Sequence, residues 1–179
     1  MIPLDSPRWS ELWHAYGTAT NIPDLLRQLE SLPTLDDGEP EFSLRSDDEP
    51  EPWYSLWGSL CHQDTVYPAS FAAVPHMIKA LATKPKRLDY NFFLLPASIE
   101  ISRKEQPCLI PEDLRQAYFE SLQQLPALAG AVADRPWDET FTCSVMAATA
   151  AAKGFHLIAN MVLELHPESQ EQIWDWLNL

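Results

Sequence analysis

The stretch that decides the fold is WYSLWGSLCHQDTVYPASFAAVPHMIKAL, which runs from Trp53 to Leu81. Its first part repeats apolar residues at the spacing of one helical face, namely Trp53, Leu56, Trp57, Leu60 and Cys61. A second apolar stripe follows Pro68 and consists of Phe71, Val74, Ile78 and Leu81. The two stripes predict two packed helices, joined by a short polar elbow.

Helix signals also precede this stretch. Ser6 followed by Pro7 is typical of a helix start, and Gly17 is typical of a helix end. Between them, Trp9, Leu12, Trp13 and Tyr16 fall on one face. We therefore expect a first helix with its tryptophans in the core. A second helix is predicted from Asn21 to near Pro33.

Further helices are predicted after the central stretch. Residues 88–101 are apolar and favour a helix that is interrupted near Pro96. Pro111 begins another, and residues 142–165 are nearly all helix formers. Gly154 either separates two helices there or is tolerated within a long one. Pro167 begins the last helix, and its apolar residues are expected to hold the C-terminal end: Ile173, Trp174 and Leu177.

These patterns predict an all-α protein of about eight to nine helices, mostly in sequential antiparallel pairs. The pairs recur at intervals of roughly 40 residues, which is the spacing of two-helix solenoids of the HEAT and armadillo kind. An irregular helical bundle would give much the same pattern and is the alternative. Consecutive pairs with short elbows favour the solenoid.

Composition restricts the class of protein. A chain of 179 residues is expected to form one domain, residues 1–179. The net charge of −14 disfavours binding to nucleic acid, since phosphates repel such a surface. No apolar run is long enough to span a membrane, and the first residues lack the pattern of a signal peptide. Three unevenly spaced cysteines form no disulfide framework, so we expect a cytoplasmic protein.

The connection at residues 35–52 is strongly acidic. It contains eight carboxylates and one basic residue, Arg45, and so carries half of the net charge of the chain. The carboxylates are Asp36, Asp37, Glu39, Glu41, Asp47, Asp48, Glu49 and Glu51. One interpretation is a mobile, solvated loop. The other is a docking surface that attracts a basic protein over a long range.

The elbow contains the polar residues that come nearest to a chemical site. His62, Gln63 and Asp64 follow the first helix, and His76 lies about a dozen residues further on. Two histidines and an aspartate are possible ligands of a divalent metal, although no HExxH or His-x-His pattern is present. We expect His62 and Gln63 to be structural instead, with side chains that bond the open carbonyls at the helix end. Recognition of a partner at this surface is the third interpretation.

Other residues offer weaker signals. Cys61 lies next to His62, but it continues an apolar stripe and is expected to be a core thiol rather than a nucleophile. A polar row on the late helix is either its solvent face or a partner-binding row: Lys153, His156, Asn160 and Glu164. Trp137 follows a turn, and Trp176 falls off the stripe of its helix, so both are candidates for exposed binding residues.

Two motifs resemble a group of poorly characterised bacterial HEAT-like proteins. One is W-x-x-L-W-G-x-L-x-H-Q-x-x-x-Y-x-A-S-x-A-A-V-P-H, from Trp53 to His76, and the other is WxxLxHAYGxAxxIPxLL, from Trp9 to Leu26. The resemblance implies a helical repeat fold without a known catalytic motif. Some small acidic proteins of this kind are similar to immunity proteins, which neutralise a bacterial toxin.

The sequence therefore predicts a non-enzymatic, protein-binding domain, most specifically an immunity or antitoxin-like protein whose acidic surface blocks a basic toxin domain. No phosphate-binding glycine loop occurs among the five glycines, and we expect no cofactor. Two alternatives stay open. One is a metal-dependent or thiol enzyme centred on His62, Asp64 and His76. The other is a scaffolding homo-oligomer.

Overall fold

A computed structural model describes residues 1–32, 51–84, 89–106 and 109–164. Within these ranges the protein is mostly helical. The α-helices are α1 (Ile22–Ser31), α2 (Trp53–Leu60), α3 (Pro68–Thr83), α4 (Asn91–Glu105), α5 (Glu112–Leu122), α6 (Leu125–Ala131), α7 (Glu139–Ala152) and α8 (His156–Leu163). Short 3₁₀ helices span Pro7–Glu11 and Ala19–Asn21. The predicted all-α class is confirmed, with the addition of two small hairpins.

The hairpins have four strands of two residues each. The first pairs β1 (Trp13–His14) with β2 (Gly17–Thr18), and the second pairs β3 (Cys61–His62) with β4 (Thr65–Val66). Both are antiparallel and have a two-residue loop. The predicted helix from Pro7 to Gly17 is therefore wrong beyond Glu11. Apolar residues at helical spacing are not sufficient for a helix where the chain can instead form a tight hairpin, here with Ala15 and Tyr16 as its loop.

The core is built around α3 and α4. Every residue of α4 from Asn91 to Ser102 is buried, because the helix is enclosed by α2, α3, α7, α8 and the second hairpin. A helix buried on all sides needs apolar residues all round, which is why this segment shows no clear stripe. α3 packs on α1, α4 and α5. Edge-to-face aromatic pairs connect the layers, for example Trp53 with Phe92 at 4.8 Å between ring centroids.

The expected interruption near Pro96 is also wrong, since α4 continues through it. A proline inside a helix costs about 3 kcal/mol in lost bonding and steric conflict. Burial of the neighbouring aromatic and aliphatic side chains, Phe92, Phe93 and Ile99 among them, offsets this cost. α3 contains an interior proline in the same way, at Pro75.

The late helical segment is divided into two helices at Gly154, which is one of the two predicted alternatives. α7 ends at Ala152, and Gly154 adopts a φ of +85° before α8 begins at His156. Only glycine enters this region of φ without strain, so the break is encoded locally. The helix predicted after Pro111 is α5, which ends at Leu122, and Leu125 then begins the separate helix α6. The last predicted helix, from Pro167, lies outside the described residues.

Among the described ranges, no helix combines the length and the apolar character that crossing a membrane requires.

Candidate functional site

The two hairpins meet at one side of the molecule, at the end of α2. The backbone N–H of Ala15, in the first hairpin loop, donates to the carbonyl of Ser59 at 3.1 Å. The hydroxyl of Tyr16 is hydrogen-bonded to Nδ1 of His62 at 3.2 Å, and the two rings meet edge to face with centroids 5.3 Å apart. The hairpins at residues 13–18 and 61–66 thus form one joint surface, which we call the paired hairpins.

The two hairpins share a local sequence pattern. Leu12-Trp13-His14 leads into the first loop, and Leu60-Cys61-His62 leads into the second. In each case the leucine is buried and the histidine is the last strand residue before a two-residue loop. Each hairpin is then followed by a helix with a proline in its first turn. This short Leu-x-His repeat is a signal in the sequence, and the sequence interpretation missed it.

The turn chemistry explains why the second elbow is a hairpin. Gln63 and Asp64 have φ angles of +48° and +58°, the conformation of a type I′ turn. This turn matches the twist of antiparallel strands, so it pairs Cys61 with Val66 and His62 with Thr65. Aspartate is one of the few residues besides glycine that tolerates this region. The predicted polar elbow is present, with strands rather than a bare loop.

The carbonyls at the end of α2 have partners other than those predicted. The hydroxyl of Ser70 donates to the carbonyl of Leu60 at 2.6 Å, and Ala15 donates to Ser59. The described contacts therefore do not give His62 and Gln63 the capping role that was expected of their side chains. His62 is half-buried against Tyr16, and both loop residues are exposed.

His14 supports the first hairpin from inside. Its side chain is buried, and its Nδ1 accepts the backbone N–H of Tyr16 at 3.2 Å. Because Nδ1 accepts, the proton is on Nε2, which donates to Oδ1 of Asn21 at 3.0 Å. The imidazole connects the loop to the start of α1 and fixes the backbone that carries Tyr16.

Aromatic side chains stand exposed on this surface. The exposed fractions are 56% for Trp13, 69% for Tyr16 and 57% for Tyr54. The expectation that Trp13 lies in the core is therefore wrong, because strand pairing turns it to the face opposite His14. The ring of Tyr16 lies against Gly58, one helical turn after Tyr54 on α2. Tyr16 and Tyr54 thus border the same face of α2.

The helix that carries Tyr54 is held rigidly on its other side. The indole of Trp53 donates to Oδ2 of Asp89 at 2.9 Å, and that of Trp57 donates to Oδ1 of Asn91 at 2.8 Å. Burial of the Asp89 carboxyl raises its pKa, and the bonds from Asn91 and Trp53 partly oppose that rise. These two bonds fasten α2 to the start of α4. Tyr54 is therefore presented on a fixed scaffold.

The structure separates the residues of the predicted metal alternative. His76 lies on α3 and is buried, with Nε2 bonded to the carbonyl of Ile2 at 2.9 Å, whereas His62 lies on the hairpin. Desolvation lowers the pKa of His76. In the part of the chain that the structure describes, no group of three or more His, Cys, Asp or Glu side chains is placed to hold a metal ion. Cys61 is buried, with Sγ 3.7 Å from the hydroxyl of Ser102, which confirms a core thiol.

The other predicted binding residues have varied surroundings. Of the acidic segment, only Glu51 is described; it is exposed and accepts from the hydroxyl of Ser55 at 2.7 Å. The remaining seven lie outside the described residues: Asp36, Asp37, Glu39, Glu41, Asp47, Asp48 and Glu49. Trp137 is 36% exposed, but its indole donates to the carbonyl of Val132 and its ring packs on Phe141. Trp176 lies outside the described residues.

The polar row of the late helix is divided between elements. Lys153 follows α7 and is exposed, and Glu164 follows α8 and is exposed. His156 and Asn160 are half-buried on α8, and the Asn160 amide donates to Glu105 at 3.3 Å. The row is therefore not the solvent face of α8.

One buried charged cluster was also missed. Arg103 donates two hydrogen bonds to the carboxylate of Glu100, at 2.7 and 2.6 Å, and the hydroxyl of Tyr118 donates to the same carboxylate at 2.8 Å. The Arg103 pKa is raised by these bonds, and burial raises that of Tyr118 well above its ordinary value. Glu100 is 3% exposed, so the cluster joins α4 to α5 and has no open face for a substrate.

Comparison of the chain with protein-family models, with curated proteins and with solved structures finds no match. The candidate site therefore rests on geometry alone. The described residues offer an exposed aromatic surface, an arrangement suited to recognition of a macromolecule.

Proposed function

We propose that this protein is a non-enzymatic binder of a basic protein domain, and that it acts as an immunity protein that neutralises a bacterial toxin. The observation that carries the proposal is the exposure of Tyr16, in the paired hairpins, and of Tyr54, on the adjoining helix α2. Tyrosine and tryptophan dominate the energetic centres of protein interfaces, because they bury a large area at a small entropic cost.

Preorganisation supports the same surface. Tyr16 is positioned by His14 from below and by His62 from the side, at 3.2 Å in both contacts. Tyr54 stands on a helix that Trp53 and Trp57 fasten to α4. Side chains that are already ordered lose little entropy on binding, so more of the contact energy appears as affinity.

Charge indicates the chemistry of the partner. Asp64, at the tip of the second hairpin, and Glu51, just before α2, are both exposed carboxylates. Glu51 is the last carboxylate of the acidic segment in sequence and lies just before α2, the helix that carries Tyr54. The negative field of such carboxylates accelerates the capture of a basic partner and repels acidic ones. A nuclease toxin with a basic substrate groove has the required charge.

We also propose that the fold is a degenerate HEAT-like helical repeat. The chain contains two consecutive units, each of which consists of a helical segment, a Leu-x-His hairpin and a helix with a proline in its first turn. Such a recurrence is expected of a degenerate repeat. This supports the resemblance to HEAT-like proteins. The enclosure of α4 by several neighbours, in contrast, is typical of a bundle.

The test uses the purified product of the neighbouring gene as the candidate partner. We expect it to bind this chain with an association rate that falls steeply from low to high salt. Replacement of the eight carboxylates from Asp36 to Glu51 by Asn or Gln should lower the low-salt rate by about 10-fold or more. At high salt the wild-type and neutralised proteins should associate at similar rates. Absence of binding, or a rate that neither salt nor neutralisation changes, would contradict the proposal.

A further inference from the structure

Two exposed tyrosine rings border the same short stretch of α2. The Cε2 atom and the hydroxyl oxygen of Tyr16 lie 3.7 Å from the point where a Cβ on Gly58 would be. Tyr54 is four residues before Gly58, and residues with this spacing share one face of a helix, with Cβ positions about 5–6 Å apart. Because Gly58 has no side chain, nothing of its own fills the space beside Tyr16. The two rings are therefore neighbours on one surface.

Exposed carboxylates adjoin both rings. Glu51 accepts from the hydroxyl of Ser55 at 2.7 Å, and Ser55 directly follows Tyr54 in α2. Asp64 lies in the loop of the second hairpin, two residues after the histidine whose ring meets that of Tyr16. Both carboxylates are exposed. The negative charges thus lie next to the aromatic rings in the structure.

The segments that form this surface contain no lysine or arginine. None occurs from Trp9 to Leu26, which includes the first hairpin, or from Glu51 to Ile78, which includes α2 and the second hairpin. The carboxylates of these segments are therefore not neutralised by a basic side chain of the same segments. A cation from outside is the complementary ligand.

The combination of rings and carboxylates distinguishes between the two basic side chains. The planar guanidinium of arginine stacks on an aromatic ring and still directs its N–H groups sideways to a carboxylate. The ammonium of lysine is a compact, strongly hydrated charge that has no plane to stack. Rings with carboxylates beside them therefore favour arginine.

We propose that this surface recognises an arginine side chain of the partner. Its guanidinium plane lies against the rings of Tyr16 and Tyr54, and its N–H groups bind a flanking carboxylate, Asp64 or Glu51. We call these four residues the arginine site. The inference rests on the proposed function for the existence of a basic partner protein, and it adds which chemical group of that partner is bound.

The test is an NMR titration of the full chain, labelled in its tyrosine rings, with Nα-acetylarginine amide. The lysine analogue has the same charge, and the citrulline analogue has nearly the same shape without the charge. We expect arginine to move the ring resonances of Tyr16 and Tyr54 saturably, lysine to bind more weakly and citrulline to have no effect. Equal shifts with all three compounds, or shifts confined to other tyrosines, would overturn the proposal.

Variants identify the groups that bind. Tyr54→Leu keeps an apolar side chain but removes the ring, and should weaken binding of the arginine analogue about 2- to 5-fold. Glu51→Gln combined with Asp64→Asn removes both charges and should weaken it to a similar extent, while asparagine still tolerates the turn conformation of residue 64. An unchanged dissociation constant in either variant would overturn the proposal.

Phe155 provides the matched control. It is 59% exposed, close to the 57% of Tyr54, but its exposed neighbour two residues before is the cation Lys153. Phe155→Leu should leave the dissociation constant of the arginine analogue unchanged. A loss as large as that of Tyr54→Leu would show that any exposed ring binds the compound, and would overturn the site.

The titration contains no partner protein, so its outcome is separate from that of the proposed function. If the neighbouring gene product binds but the arginine analogue leaves the two rings unchanged, the arginine site is overturned and the proposed function stands. If the analogue binds at the two rings and the gene product does not bind, the arginine site is supported and the proposed partner is wrong.

Discussion

The buried cluster of Glu100, Arg103 and Tyr118 gives the sharpest stability prediction. Replacement of Glu100 by Gln keeps the shape of the side chain but removes the charge that Arg103 and Tyr118 share. The Arg103 side chain is only 14% exposed, so it cannot regain full hydration after the change. Breaking a buried pair by removing one partner costs about 3–5 kcal/mol. We expect about 3 kcal/mol for Glu100→Gln, because the amide oxygen still accepts one bond.

Variants of Tyr118 and Arg103 provide the stabilities with which that of Glu100→Gln is compared. Tyr118→Phe removes one hydrogen bond to a charged acceptor and should cost about 1.5 kcal/mol. Glu100→Gln combined with Arg103→Met removes both charges. This double variant should be more stable than the sum of the two single changes predicts, by about 2 kcal/mol, since no unpaired charge is left in the interior.

The assay is urea unfolding followed by far-UV circular dichroism, with the free energy of unfolding compared in a double-mutant cycle. A cost below about 1 kcal/mol for Glu100→Gln would refute the reasoning, since surface substitutions have effects of that size. Additive costs of the two single changes would refute it too, because they would show that the two charges do not interact.

Two further predictions concern the hairpin turn and the buried histidine. Asp64 has a φ of +58°, so Asp64→Gly should be more stable than Asp64→Ala by about 1 kcal/mol in the same unfolding assay, and equal stability would contradict the turn assignment. Desolvation lowers the pKa of His76 below its ordinary 6.5, so the folded protein should lose stability as pH falls below 6.5, when the unfolded chain takes up a proton that the folded one does not. His76→Gln retains a donor for the carbonyl of Ile2 but does not titrate, and its stability should fall less on acidification; an equal fall would show that other groups cause the effect.

Much of the helical structure was predictable from local signals. The stripes from Trp53 and Phe71, the start after Pro111 and the possible break at Gly154 all correspond to observed helices or boundaries. In these segments the apolar period, the capping residues and the prolines agree with one another. Where these local signals agree, the secondary structure of a segment can be predicted without tertiary information.

The failures have tertiary causes. The segment around Trp13 has a helical stripe, but the docking of its loop on Ser59 and the bond from His14 to Asn21 favour a hairpin. Pro96 would end an isolated helix, but complete burial of α4 overrides the penalty. In both cases the deciding contacts join residues far apart in the chain, which a window of sequence does not contain.

The candidate surface was less predictable than the fold. The sequence pattern draws attention to His62, Asp64 and Glu51, but it does not predict Tyr16 and Tyr54 as binding residues. Exposure of Tyr16 depends on the strand pairing, and that of Tyr54 on which side of α2 faces α4. The recurrence of Leu-x-His before both loops is the sequence signal that indicates the two hairpins.

The central claim is that the paired hairpins and the adjoining Tyr54 of α2 bind the partner. The most direct test is the equilibrium dissociation constant of Tyr54→Ala for the neighbouring gene product, with Leu109→Ala as the matched control; the two side chains are 57% and 87% exposed. Neither change should affect folding, which unfolding curves check. The account predicts that Tyr54→Ala weakens binding about 30-fold, which corresponds to about 2 kcal/mol, and that Leu109→Ala has no effect. Equal dissociation constants for Tyr54→Ala and the wild type would contradict it.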